Sequence, residues 1–233
     1  MRELRSIRFH LVRIDWSLFA AVVVLLVAGV LFVYSASYRG DDLPVAPFFK
    51  KQIVWAVLGL LGLVAFTLLD YHRLRAAAWW AYAAALVLLI LVLLVGRRVY
   101  GATRWLSLFG VQIQPSEFAK LAVLLVLARY LSRPNRDLAG LGTLAAVGAI
   151  LALPMLLVLR EPDLGTAVLL LPLAFVMMFV AGVPLRWLIA LVGLVLLLLP
   201  LAWWGMSDYQ HERVLAFLDP GRDPLGAGWN KLQ

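Results

Sequence analysis

The sequence predicts an all-α, polytopic membrane protein with about seven transmembrane helices. Hydrophobic residues make up 64% of the 233-residue chain and charged residues 15%, with a mean hydropathy of +0.94. Ordinary soluble domains carry roughly 25% charged residues. A soluble domain of this size has no interior able to hide so much apolar surface, so the bilayer is the solvent for most of it. The apolar residues also gather into continuous, leucine-rich runs. Each run is near the ~20 residues that cross ~30 Å of hydrocarbon at 1.5 Å per residue. A membrane barrel would instead show short segments of alternating polarity.

The runs, in order, are Trp16–Ser35, Ile53–Leu69, Ala76–Val95, Pro115–Leu131, Leu138–Leu159, Leu164–Ala181 and Trp187–Trp204. The first is too long for a cleaved signal peptide, and further spans follow it. Pro154, Pro172 and Pro200 lie within or at the end of runs, where each removes a backbone donor and predicts a local kink. Residues 1–204 form the helical domain on this reading, with 205–233 beginning a loop outside the membrane. From Asp208 to Leu218, Val214, Phe217 and Leu218 share a helical face, which predicts a short interfacial helix.

Charge sets the orientation and excludes other classes. Arg2, Arg5, Arg8 and Arg13 precede the first run and place the N-terminus in the cytoplasm. Alternation then puts Arg73, Arg75, Arg129, Arg133, Arg136 and Arg186 on that side. Arg39, Lys50, Lys51, Arg97, Arg98, Arg104, Arg160, Arg213, Arg222 and Lys231 fall on the other. The two sides balance, so the N-terminal arginines decide. Basic residues on the translocated side oppose the usual bias, which suits an anionic ligand there or pairing with outer acids. The net charge of +8 is not a nucleic-acid signature, because the cations sit in turns between apolar runs. There is no cysteine, and His10, His72 and His211 are too scattered for a metal cluster. No metal ligands are assigned, and a divalent cation requirement is left open.

Polar residues converge on the outer side. Pro115 suits the first helical position, which makes Gln114 the boundary residue. Glu117 then sits where the helix dipole favours an acid. Lys120 gains nothing from that dipole and lies at or within the hydrocarbon boundary, where an unpaired charge costs several kcal/mol. Glu117, at i−3 on the same face, is its expected partner. The next outward turn, Arg160-Glu161-Pro162-Asp163, holds three charged residues among four. Pro162 reads as a first-turn proline and Asp163 as a first-turn acid, with Thr166 bonding back to the backbone. Arg104 beside Trp105, in the loop Gly96–Gln114, combines a phosphate-binding guanidinium with an interfacial anchor. The candidate binding or supporting residues are therefore Arg104, Trp105, Gln114, Glu117, Lys120, Arg160 and Asp163.

Three phrases, GATRWLSLFGVQIQPSEFAKLAV, REPDLGTAVL and YQHERVLAFLDPGRDPLGAGW, occur in this order, preceded by DWSLF and YSAS. In these the chain resembles the SEDS family (shape, elongation, division and sporulation), and most of all its RodA branch. The resemblance implies a ten-helix peptidoglycan glycosyltransferase in the bacterial inner membrane. Such an enzyme polymerises lipid II beside a class B penicillin-binding protein. It also implies that the catalytic aspartate lies beyond Gln233. No residue here takes that role, and the 233-residue chain is expected to be an inactive fragment. Arg104, Glu117 and Lys120 match the family's charged cluster around the fourth span, and Asp163 matches its DLGT phrase. The rival readings are a flippase for the lipid-linked precursor and a membrane scaffold for a partner transpeptidase.

Overall fold

The computed structural model describes residues 15–37, 47–99, 102–108, 111–206, 211, 214 and 215. Among these are seven helices: α1 (Trp16–Ser37), α2 (Pro47–Leu68), α3 (Tyr71–Val95), α4 (Pro115–Leu131), α5 (Leu141–Arg160), α6 (Leu164–Ala181) and α7 (Leu185–Trp204). Five of them, α1, α2, α3, α5 and α6, are long and apolar enough to cross a membrane. The helix α4 and the apolar run Leu185–Leu201 of α7 each have 17 residues, ~25 Å of helix, and fall just short of ~30 Å.

The chain divides into two compact units, Met1–Arg73 and Leu74–Gln233. In the first unit, α1 packs against α2. The start of α1 is capped by Asp15, whose Oδ1 accepts from the backbone N–H groups of Ser17 and Leu18 at 3.0 and 3.1 Å. Asp70 does the same for the helix beginning at Tyr71, accepting from His72 N–H at 2.9 Å. Both acids stand where orphaned N–H groups and the helix dipole favour them.

Helix α4 is central to the second unit, packing on both α5 and α6. Its buried residues Ala119, Ala122, Val123, Val126 and Leu127 recur at helical spacing. Facing residues on α6 include Ala167, Leu170, Ala174 and Met178, at intervals of three and four. The small residues on both helices let the backbones approach closely, as helix packing in lipid requires. A long-range bond, Tyr82 Oη donating to the Ile150 carbonyl at 2.8 Å, ties α3 to α5 and satisfies a hydroxyl that is otherwise buried. Large apolar side chains cover the outer faces, including Leu121, Leu156, Phe179 and Leu197. That is the expected partition when lipid is the solvent. Gly182 ends α6 in the left-handed region at φ 91, and the Val183 N–H then reaches back to the Met178 carbonyl at 3.0 Å.

Three features differ from the sequence expectation. Helices α2 and α3 start about five residues before their apolar runs. Lys50, Lys51 and Gln52, and likewise Arg73 and Arg75, are helical residues ahead of the apolar runs, which hydropathy alone does not detect. The segment 96–114, read as an interfacial loop, holds a three-stranded antiparallel sheet in the order β1 (Arg97–Val99), β2 (Ala102–Leu108), β3 (Val111–Ile113). The register pairs Arg97 with Trp105, Arg98 with Thr103 and Leu106 with Ile113, with a bulge between Arg97 and Arg98. Helix α6 begins at Leu164, so Pro162 lies before it rather than in its first turn, and Asp163 is its N-cap. Pro154, Pro172 and Pro200 fall inside α5, α6 and α7, which continue as helix on both sides. The interfacial helix expected from Asp208 lies largely outside the described residues.

Candidate functional site

The site is built from three chain segments at one end of the second unit: strand β2, the head of α4 and the turn between α5 and α6. At the head of α4, Gln114 is extended (φ −102, ψ 108) and Pro115 opens the helix. The Gln114 side chain does not cap its own helix. Its Nε2 donates to Ser116 Oγ at 3.0 Å and to Asp163 Oδ2 at 3.1 Å, linking α4 to the α5–α6 turn.

Asp163 is 6% exposed and accepts three hydrogen bonds. Oδ1 accepts from Thr166 N–H at 3.3 Å, and Oδ2 accepts from Thr166 Oγ1 at 2.8 Å as well as from Gln114. Thr166 therefore bonds to the capping carboxylate and not back to the backbone, because that carboxylate is the stronger acceptor within reach. Arg104, from β2, completes the turn. Its Nε donates to the Glu161 carbonyl at 3.4 Å and its Nη2 to the Pro162 carbonyl, while Nη1 lies 3.9 Å from Asp163 Oδ1. The last is an ion pair without hydrogen-bond contact. Arginine suits this place because its planar fork reaches three acceptors at once. Its charge also lies against carbonyls at the C-terminal end of α5, where the helix dipole favours a cation.

Glu161, which was not singled out as a site residue from the sequence, is fully buried in the same turn. Neither of its carboxyl oxygens has a hydrogen-bond partner among the described residues. Burial, followed by the neighbouring Asp163 charge, pushes its pKa up to about 8; Arg104 opposes the rise. The carboxyl is therefore mostly neutral at pH 7. A sequence signal existed: an acid at a helix C-terminus faces the wrong end of the dipole.

The expected pair on α4 is present. Lys120 Nζ donates to Glu117 Oε1 at 2.8 Å, with the two side chains 24% and 56% exposed. No hydrogen bond joins this pair to Arg104 or Asp163 among the described residues. The two groups differ in availability. Arg104 gives two of its five donors to backbone carbonyls and its side chain is 16% exposed, whereas Lys120 gives one of its three to Glu117 and is 24% exposed. Lys120 is thus the more open of the two cations to an external anion, and Arg104 holds the turn. Trp105 is partly buried on β2, and Arg160 is exposed at the last position of α5. Among the described residues no three His, Cys, Asp or Glu side chains converge on a metal position.

Comparison with known proteins gives this arrangement a context. The model of the FtsW/RodA/SpoVE cell cycle protein family matches residues 15–233. The peptidoglycan glycosyltransferase RodA of Treponema pallidum is 40% identical over 207 residues, covering 86% of this chain and 47% of its own length. The peptidoglycan glycosyltransferase MrdB of Escherichia coli K12 is 34% identical over 225 residues, covering 95% of this chain and 59% of its own. A solved structure on the coordination of polymerization and crosslinking by a peptidoglycan synthase complex superposes with a TM-score of 0.73 at 39% identity. It covers 94% of this chain and 63% of that one. The crystal structure of the rod-shape-determining protein RodA of Thermus thermophilus gives 0.67 at 36% identity, covering 79% and 60%. The chain thus spans about half to three-fifths of the length of these curated relatives. With the family model matching from Asp15 to the last residue, the chain belongs to the FtsW/RodA/SpoVE family of cell cycle proteins.

Proposed function

We propose that the whole protein is a membrane-embedded glycosyltransferase that polymerises lipid II into glycan strands for cell-wall elongation. The observation that carries this is the family match across residues 15–233 together with relatives named peptidoglycan glycosyltransferases. The site geometry supports it. Lipid II offers a diphosphate at headgroup depth, and Lys120 is a cation near that depth with donors to spare. Neutralising a departing diphosphate in a partly dry site lowers the barrier to glycosyl transfer. Glu117 holds the ammonium in place. The Arg104–Asp163–Gln114 latch fixes the turn beside it and is a positioning device. No residue of this chain is proposed as the base that deprotonates the attacking sugar hydroxyl.

A class B penicillin-binding protein is the proposed partner, and the neighbour solved in a peptidoglycan synthase complex supports that choice. The proposed setting is the bacterial inner membrane, with the N-terminus in the cytoplasm and the site facing outward. The test is the whole protein reconstituted with labelled lipid II. Glycan polymer supports the enzyme. Translocation without polymer would identify a flippase. Neither activity, with retained partner binding, would identify a scaffold.

A further inference from the structure

The opposite end of the second unit carries a separate charge pattern. There the last turn of α4, the segment 132–140, the end of α6 and the start of α7 come together. Among the described residues of this unit, five arginines (Arg75, Arg129, Arg133, Arg136, Arg186) accompany one acid, Asp137, at this end. One of these is accounted for by the fold. Arg129 Nη1 donates to the carbonyls of Arg75 and Ala76 at 2.7 Å each, binding α4 to the first turns of α3. Arg75 supplies only its backbone carbonyl, and its side chain is exposed.

Of the other four, Arg133, Arg136 and Arg186 lie on or beside the segment 132–140. The Arg136 guanidinium carbon lies over the Tyr130 ring, 3.9 Å from its centroid, and Nη1 donates to the phenol oxygen at 2.7 Å. Its position is fixed, yet the rest of its fork has no partner among the described residues. Arg186 sits in the first turn of α7, where the dipole penalises a cation, and its guanidinium lies 5.6 Å from the Trp187 ring. Arg133 is exposed in the intervening segment. The indole Nε1 of Trp187 donates to the Ala139 carbonyl at 2.9 Å, which holds α7 against the arginine-bearing segment. Asp137 is one acid against several arginines; its Oδ1 accepts from Ala139 N–H at 3.0 Å, and no ion pair joins it to an arginine among the described residues. Beside these cations, Leu141 and Leu185 in the first turns of α5 and α7 are 66% and 60% exposed.

We propose that Arg133, Arg136 and Arg186 form a seat for the headgroup phosphate of an anionic phospholipid. The combination favours an amphiphile over a soluble anion: fixed cations, with Tyr130 and Trp187 at headgroup depth and bare leucines beside them for acyl chains. The site lies at the other end of the unit from Lys120, so it stands independently of the proposed enzymatic function.

The test uses this chain in phosphatidylcholine nanodiscs with increasing phosphatidylglycerol, scored by lipid retained on extraction into mild detergent and by Tm. An arginine near an anionic surface is worth about fivefold in lipid partitioning, so loss of all three should weaken retention on the order of a hundredfold at low salt. The expected result is retained phosphatidylglycerol and a raised Tm for the wild type. Both should be lost in Arg133→Gln/Arg136→Gln/Arg186→Gln, with no effect of soluble glycerol phosphate. Arg133→Gln alone, at an exposed position, should fold normally and show a partial loss of about fivefold. Equal retention by wild type and Arg133→Gln, or an equal Tm rise with soluble glycerol phosphate, would overturn the proposal.

Discussion

Glu161 offers the sharpest perturbation. Its carboxyl is fully buried, without a donor, and its pKa rises from 4.5 to about 8. In the unfolded chain the group ionises near its ordinary value, whereas the native state holds its proton to higher pH. The native state therefore binds more protons between these two values, and stability falls as pH rises through that window, levelling off above about 8. At about 1.36 kcal/mol per unit, the loss reaches roughly 3 kcal/mol at pH 7 and about 5 kcal/mol above the window. Glu161→Gln keeps the shape and removes the titration. The assay is thermal unfolding of the chain in detergent from pH 5 to 9. Wild-type Tm should decline across the range. The variant should show a flatter profile, matching the wild type or lying slightly below it near pH 5 and exceeding it at pH 8. Identical pH slopes for the two proteins would refute the reasoning, since the buried carboxyl would then not be the group that titrates.

Three further outcomes are expected. Arg104→Ala should lower stability by about 1–3 kcal/mol, because it leaves two carbonyls of the turn without their donor and Asp163 without its ion-pair partner. Arg104→Lys should not restore it in thermal unfolding, because an ammonium cannot span three acceptors. Gly182→Ala should destabilise by about 1 kcal/mol in the same assay, because φ 91 at the end of α6 is open to glycine and strained for alanine. A reporter fused at residue 1 should read as cytoplasmic; an outward signal would reverse the assignment of the two ends of the bundle.

The helices were readable because lipid leaves the sequence few options. Runs such as Pro115–Leu131 and Leu164–Ala181 match their helices end to end, since proline, an N-cap acid or glycine marks the boundary. The starts of α2 and α3 were not readable from hydropathy, because a helix continues into the headgroups after its apolar run stops. The short strands were missed because 96–114 mixes aromatic, basic and apolar residues without a run long enough to show period two. The Glu117–Lys120 pair was legible, being local and on one face. The Arg104–Asp163–Gln114 latch was harder, because its partners lie about fifty residues apart in sequence. Topology could place those residues on one side but not set their contacts. Glu161 escaped as a site residue because an acid in a charged turn looks solvated until burial is known.

The measurement that bears most directly on the account compares the whole protein with its Lys120→Ala variant in polymerisation of labelled lipid II. The variant removes the more open cation while leaving the Arg104 latch untouched. Its exposed ion pair with Glu117 contributes about 0.5 kcal/mol or less, so folding should survive. The account predicts polymer from the wild type, and none from a variant whose Tm is close to the wild-type value. Wild-type polymerisation rates from the correctly folded variant would contradict it.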